Sequence, residues 1–120
     1  MLNWFRKSQP DDGPEPAPFE FADVSARPCA VLFKHSPTCA VSRFAHGQVE
    51  TFKTRNPSIP VYTILVRTER ALSSQIATWS KVRHESPQII VLRAGKVVSS
   101  ASHGEVTVDY LTEAVAEIAR

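Results

Sequence analysis

The segment "QIIVLRAGKVVSSAS" (88–102) reads as two strands meeting at Ala94-Gly95, and a tight hairpin forces its strands to pair antiparallel. Upstream, "CAVLFK" (29–34) and "PVYTILVR" (60–67) are short apolar runs of the kind that form strands buried on both faces. Between those runs, Val41, Phe44, Ala45, Val49 and Phe52 recur every three or four residues, which predicts an amphipathic helix over 40–55 ended by Asn56-Pro57. Strands joined through a helix pair parallel. One chain carrying both kinds of connection must build a mixed sheet.

Leu72, Ile76 and Trp79 place a further apolar stripe on a helix near 69–80, and Val108, Leu111, Val115 and Ile118 predict a closing helix. The order is then β-α-β-α-β-β-α, an α/β fold with a mixed four-stranded sheet flanked by helices. That is the thioredoxin-like architecture. The whole chain of 120 residues is the size of one domain, assigned to 19–120. Ahead of it, "SQPDDGPEPAP" (8–18) holds four of the nine prolines and three acids, a composition that reads as linker, preceded by an apolar tip of Leu2, Trp4 and Phe5.

With 14 Lys+Arg against 12 Asp+Glu the formal charge is +2, and no basic cluster marks a nucleic-acid footprint. No apolar stretch approaches the ~20 residues that span a bilayer, and "MLNWFRKSQP" lacks the apolar core of a signal peptide. A cytoplasmic monomer with no membrane partner is the expectation. In a reducing compartment two cysteines are not expected to form a structural disulfide. The histidines at 35, 46, 84 and 103 lack the short paired spacings of a zinc site, so no metal is expected.

Chemistry concentrates in "FKHSPTCAVS" (33–42), where Cys39 falls at the junction of a strand and a helix. A helix starting at Ala40 turns unpaired backbone N–H groups and the positive end of its dipole toward Cys39, which favours the nucleophilic thiolate. His35, Lys34 and Arg43 are close in sequence and add positive charge if they point inward. Ser42, three residues on, stands where a redox protein usually carries a second cysteine, and its hydroxyl is within reach of the Cys39 sulfur. It cannot form a disulfide. A C-x-x-S site therefore holds a mixed disulfide until an outside thiol resolves it. Cys29 begins the preceding strand, about 20 Å from the helix end at ~3.3 Å per residue. A disulfide needs Cα atoms within ~7 Å, so Cys29 is read as a packed, unreactive thiol. The plainer reading of Cys39 itself is a small buried residue capping a helix.

In "HESPQ" (84–88), Pro87 directly precedes the hairpin, where this fold places a cis-proline beside its cysteine, and Ser86 then offers its backbone to a substrate. Ser102-His103-Gly104 returns to the same sheet edge, which brings His103 near Cys39 or leaves it in solvent. Taken together, "FKHSPTCAVS", "HESPQIIVLRAGKVV" and "SSASHGEVT" resemble the YtxJ family of monothiol bacilliredoxins across residues 29–120. The resemblance implies a thioredoxin fold and a monothiol thiol-disulfide oxidoreductase in which Cys39, aided by Ser42, removes bacillithiol from protein mixed disulfides. It further implies bacillithiol as co-substrate with no tightly bound cofactor, bacillithiolated proteins and a low-molecular-weight thiol as partners, and a substrate surface of Pro37, Thr38, Arg43, Ser86, Pro87 and His103. Arg43, Arg67 and Arg83 are candidates for the carboxylates of bacillithiol malate. Two departures stand out: Ala40 replaces the usual proline after the cysteine, and the stretch before the first strand, where the family usually has a helix, is shortened and proline-rich. An iron–sulfur carrier using one thiolate per protomer plus an exogenous thiol, or a redox-silent scaffold on the same fold, are the alternative readings.

Overall fold

A computed structural model describes residues 19–119; the apolar tip and proline-rich linker lie outside the described residues. The elements are α1 (Phe21–Ala26), β1 (Ala30–His35), α2 (Ala40–Arg55), β2 (Val61–Leu65), α3 (Arg70–Ser80), β3 (Gln88–Arg93), β4 (Lys96–Ser102), a 3-10 turn at His103–Glu105, and α4 (Val108–Ala119). The sheet order is β2-β1-β3-β4. β1 pairs parallel with β2 across α2, antiparallel with β3, and β3 turns into β4 as a hairpin. This is the mixed sheet that the two kinds of connection require.

β1 is buried at all six positions because it lies inside the sheet with both faces covered. Val31 and Phe33 face one core with Ala45, Val49 and Phe52 of α2 and Leu111 and Ala114 of α4. Ala30 and Leu32 alternate to the other face, against Val24 of α1 and Ile76 of α3. Each fully buried side chain of this size contributes about 1.5–3 kcal/mol relative to exposure.

α1 is an element that the sequence pattern does not announce. Six residues between prolines carry too short a pattern to register, yet Phe21 and Val24 pack it onto the sheet. β2 stops at Leu65 rather than Arg67, since the Leu65 carbonyl accepts from the N–H groups of both Thr68 and Glu69 and closes a turn. The hairpin turn holds Ala94 at φ 51° and Gly95 at φ 81°, the paired left-handed conformation of a type I′ turn. A Cβ on Gly95 would lie 2.9 Å from Ser25 Oγ and 3.0 Å from Ser25 Cα, so α1 packs where only glycine fits.

Candidate active site

Hydrogen-bond register brings three segments to one end of the sheet. Lys34 pairs with Gln88, so the loop after β1 and the Ser86-Pro87 bond before β3 are neighbours. Gln88 pairs in turn with Ser102, which sets His103 beside Pro87, and the His103 N–H donates to the Pro87 carbonyl at 2.9 Å. Val66 donates to the His35 carbonyl at 3.0 Å and brings Arg67 to the same end.

Cys39 is the N-cap of α2 in extended conformation and half-buried. No side chain caps this helix and its first turn carries no acid, so the first-turn N–H groups face the sulfur's end of the helix without a competing anion. The loop is held from within: Cys39 N–H donates to the Ser36 carbonyl at 3.0 Å, and Arg43 N–H to the Cys39 carbonyl at 2.9 Å.

Ser42 is fully buried. Its Oγ accepts the Ser36 N–H at 2.9 Å and meets His35 Nδ1 at 2.8 Å. The hydroxyl that the sequence aimed at Cys39 thus fastens the end of β1 to α2, and no hydrogen bond joins it to the Cys39 sulfur in this structure. His35 is only 7% exposed and packs among aromatic rings, with centroids 5.1 Å from Phe33 and 4.8 Å from His46. Burial, and secondarily the neighbouring His46, push its pKa down, so the imidazole is kept neutral.

Lys34 is fully buried on the α3 side, where its Nζ donates to the Ser73 carbonyl and to His84 Nδ1, both at 3.0 Å. Burial lowers its pKa too. Lys34 is thus committed to Ser73 and His84 beside α3, and His35 to Ser42 of α2, rather than to the Cys39 sulfur. Arg67 reaches this loop, where its Nη1 donates to Thr38 Oγ1 at 2.8 Å. Arg43 is exposed on the first turn of α2, Pro37 and Thr38 lie in the loop, and Arg83 is exposed in the segment before Pro87.

The Ser86-Pro87 bond is cis, as the position before the hairpin suggested. Ser86 makes no backbone hydrogen bond among the described residues, while its Oγ is buried without a partner. Around it, Glu85 Oε1 meets His103 Nε2 at 2.6 Å and Gln88 Nε2 donates to the Arg83 carbonyl at 2.9 Å. His103 is therefore tied to the proline loop through both backbone and ring, with 58% of its side chain exposed. Cys29 stands at the opposite end of β1 from Cys39, both thiols are free, and burial raises the Cys29 pKa.

A family model for monothiol bacilliredoxin BrxC matches residues 19–111. The chain belongs to the monothiol bacilliredoxin family. Among solved structures, a thioredoxin-fold protein proposed to be an oxidoreductase is 34% identical, with a TM-score of 0.73 over 79% of this chain and 85% of that one. A single-site mutant of the thioredoxin from Halobacterium salinarum NRC-1 is 15% identical, with a TM-score of 0.67 over 88% of each chain. Fasciola hepatica thioredoxin is 15% identical, with a TM-score of 0.64 over 79% and 85% of the respective chains. The last two share the fold alone. Family and fold together make this a bacilliredoxin-type thiol-redox protein built on a thioredoxin sheet. Among the described residues no helix is long and apolar enough to cross a membrane, and no three His, Cys, Asp or Glu side chains stand together as a metal site.

The fold brings the segments carrying Cys39, Ser42, Ser86, Pro87 and His103 to one end of the sheet, while the supporting bonds of Lys34 and His35 escape the sequence reading. A signal was present. A lysine and a histidine continuing a fully apolar strand must find hydrogen-bond partners inside the protein, which argues against a role as free surface charge.

Proposed function

We propose that this protein is a monothiol thiol-disulfide oxidoreductase that removes bacillithiol from protein mixed disulfides through Cys39. The observation that carries the reading is one half-buried thiol at an uncapped helix N-terminus, with Ser42 in the place of a resolving cysteine and the Ser86 backbone unpaired at the same end of the sheet.

In the first step the Cys39 thiolate attacks the bacillithiol sulfur of a protein–S–S–bacillithiol bond. A Cys39–S–S–bacillithiol bond forms, and the protein sulfur leaves as a thiolate that takes a proton from solvent. A second bacillithiol, as its thiolate, then attacks the bacillithiol sulfur held on Cys39. Bacillithiol disulfide departs and the Cys39 thiolate is restored. Cys29, at the far end of β1 and with its thiol form favoured by burial, is unsuited to compete for either step.

The substrate's main chain pairs with Ser86, while Pro37, Thr38 and His103 border the thiol. Arg43 and Arg67 supply guanidinium groups for the carboxylates of the bacillithiol malate. No tightly bound cofactor enters the cycle, and a monomer in a reducing cytoplasm suffices for it.

Intact-mass spectrometry tests the proposal. Reduced wild type, Cys39→Ser and Cys29→Ser are incubated with bacillithiol disulfide and, separately, with glutathione disulfide. One bacillithiol adduct on wild type and Cys29→Ser, none on Cys39→Ser and little glutathione adduct are the expected results. No adduct on wild type, or an adduct only on Cys29, would refute it, and visible absorption after anaerobic purification would favour the iron–sulfur reading.

A further inference from the structure

Ser42 Oγ has two acceptor positions and one proton to give. The Ser36 N–H, 2.9 Å away, fills one acceptor position in any arrangement. What the other position and the proton do depends on His35, whose Nδ1 is 2.8 Å from the same oxygen. If Nδ1 is bare, Ser42 donates its proton to the imidazole and has none left for a sulfur. If Nδ1 carries the hydrogen, it donates to Ser42, both acceptor positions are filled, and the Ser42 proton is free to point elsewhere. Cys39 is the N-cap of α2 and Ser42 its third helical residue, the end of the first turn over which an N-cap side chain lies.

We infer that His35 is a positioning residue for the thiol chemistry: as its Nδ1–H tautomer it joins the Ser36 N–H in saturating Ser42 Oγ, which turns the Ser42 proton toward the Cys39 thiolate. This rests on the proposed role of Cys39 as nucleophile and leaving group. No proton leaves Ser42 in the process; the hydroxyl donates a hydrogen bond to sulfur whenever sulfur carries charge, on attack and again on departure.

The surroundings of His35 suit this work. Its ring lies at 13° to that of His46 and 21° to that of Phe33, so packing fixes the face that Nδ1 presents to Ser42. His46 is itself 3.6 Å from Glu50 on the exposed side of α2. On the other face of β1, Lys34 is taken up by Ser73 and His84. A neutral imidazole can exchange tautomers with no change of charge, and burial together with His46 keeps His35 neutral.

The direct test is the tautomer of His35 in the full-length, reduced protein, read from long-range 1H–15N spectra at a pH where Cys39 is a thiol and at one where it is a thiolate. The Nδ1–H tautomer in the thiolate form is expected; an Nε2–H tautomer in that form would overturn the inference. Variants give a second reading through the rate of Cys39 alkylation by iodoacetamide at fixed neutral pH. His35→Leu and Ser42→Ala should each slow it about tenfold, the loss of one hydrogen bond to a charged acceptor, and the double variant should be no slower than either. His35→Asn, which restores an N–H donor, should recover most of the rate. Wild-type rate in His35→Leu, or losses that multiply in the double variant, would refute the coupling. Should His35→Leu not fold, the wild-type spectra decide alone. Neither readout uses bacillithiol, so a protein that shows the coupling yet forms no bacillithiol adduct would refute the proposed function and leave this inference standing.

Discussion

Replacing Lys34 by methionine should make the protein more stable at pH 7. The Lys34 amine is fully buried and has two partners, the Ser73 carbonyl and His84 Nδ1. Losing two such bonds costs about 2 kcal/mol. Neither partner is orphaned, because the Ser73 carbonyl lies within α3 and keeps its ladder bond, while His84 Nδ1 keeps Ser73 Oγ at 3.2 Å. Against that loss stands the burial of the amine. Desolvation disfavours its charged form and lowers its pKa from the 10.5 of a free lysine, and replacing a buried charged group by an apolar side chain of similar volume is commonly stabilising by about 1–4 kcal/mol. Methionine has a stem of similar length and no such penalty, so a gain of about 1–3 kcal/mol is expected.

The pH dependence provides the sharper check. Burial lowers the folded pKa of Lys34, so between that value and 10.5 the unfolded chain binds more protons and wild-type stability rises with pH. Lys34→Met lacks that rise, and its advantage should shrink as pH climbs from 7 to 10. Urea unfolding of both proteins across this range measures it. A variant less stable than wild type by about 1 kcal/mol or more at pH 7, with a gap that does not change with pH, would refute the reasoning.

Gly95→Ala should destabilise the fold by about 1–2 kcal/mol or more, from the left-handed φ and the Ser25 contact, whereas Ala94→Asn, at φ 51°, should be neutral or stabilising by up to ~1 kcal/mol; thermal melts measure both. Burial lowers the pKa values of His35 and His84, so each contributes stability that is present above pH 6.5 and lost as pH falls through its folded value. Urea unfolding from pH 7.5 to 5 should show the decline, with a smaller one in His84→Gln. Ser42→Cys should convert the site to C-x-x-C, so that a disulfide-exchange adduct on Cys39 is replaced in mass spectra by an internal disulfide two hydrogens lighter than the dithiol.

Strand and helix positions were legible because the apolar residues obey a single period in each segment. β1 and β3 read as continuous apolar runs, and α2 ends where Asn56-Pro57 predicted. What escaped was set by tertiary contact. α1 owes its existence to Phe21 and Val24 meeting the sheet, not to six residues of propensity. Arg67 joins the site because β2 ends beside β1, a matter of register that no linear spacing encodes. Lys34 and His35 are adjacent in sequence, and strand alternation sends one to α3 and the other to α2. Their chemistry depends on which face each occupies, which proximity to Cys39 along the chain leaves open.

The hairpin has one more consequence, at its outer side. β4 is an edge strand, and an open edge invites a strand from another molecule to extend the ladder. Here the register jumps from Val91–Ser99 to Leu92–Val97, which leaves Val98 as an unmatched bulge. Lys96 begins the strand and serines occupy 99, 100 and 102. A bulge bends the edge and interrupts its regular row of donors and acceptors, and the lysine adds charge that a neighbouring copy would have to desolvate. The same strand that carries His103 to the proline loop is thereby a poor template for stacking one molecule onto the next, which guards the sheet against edge-to-edge aggregation at high concentration.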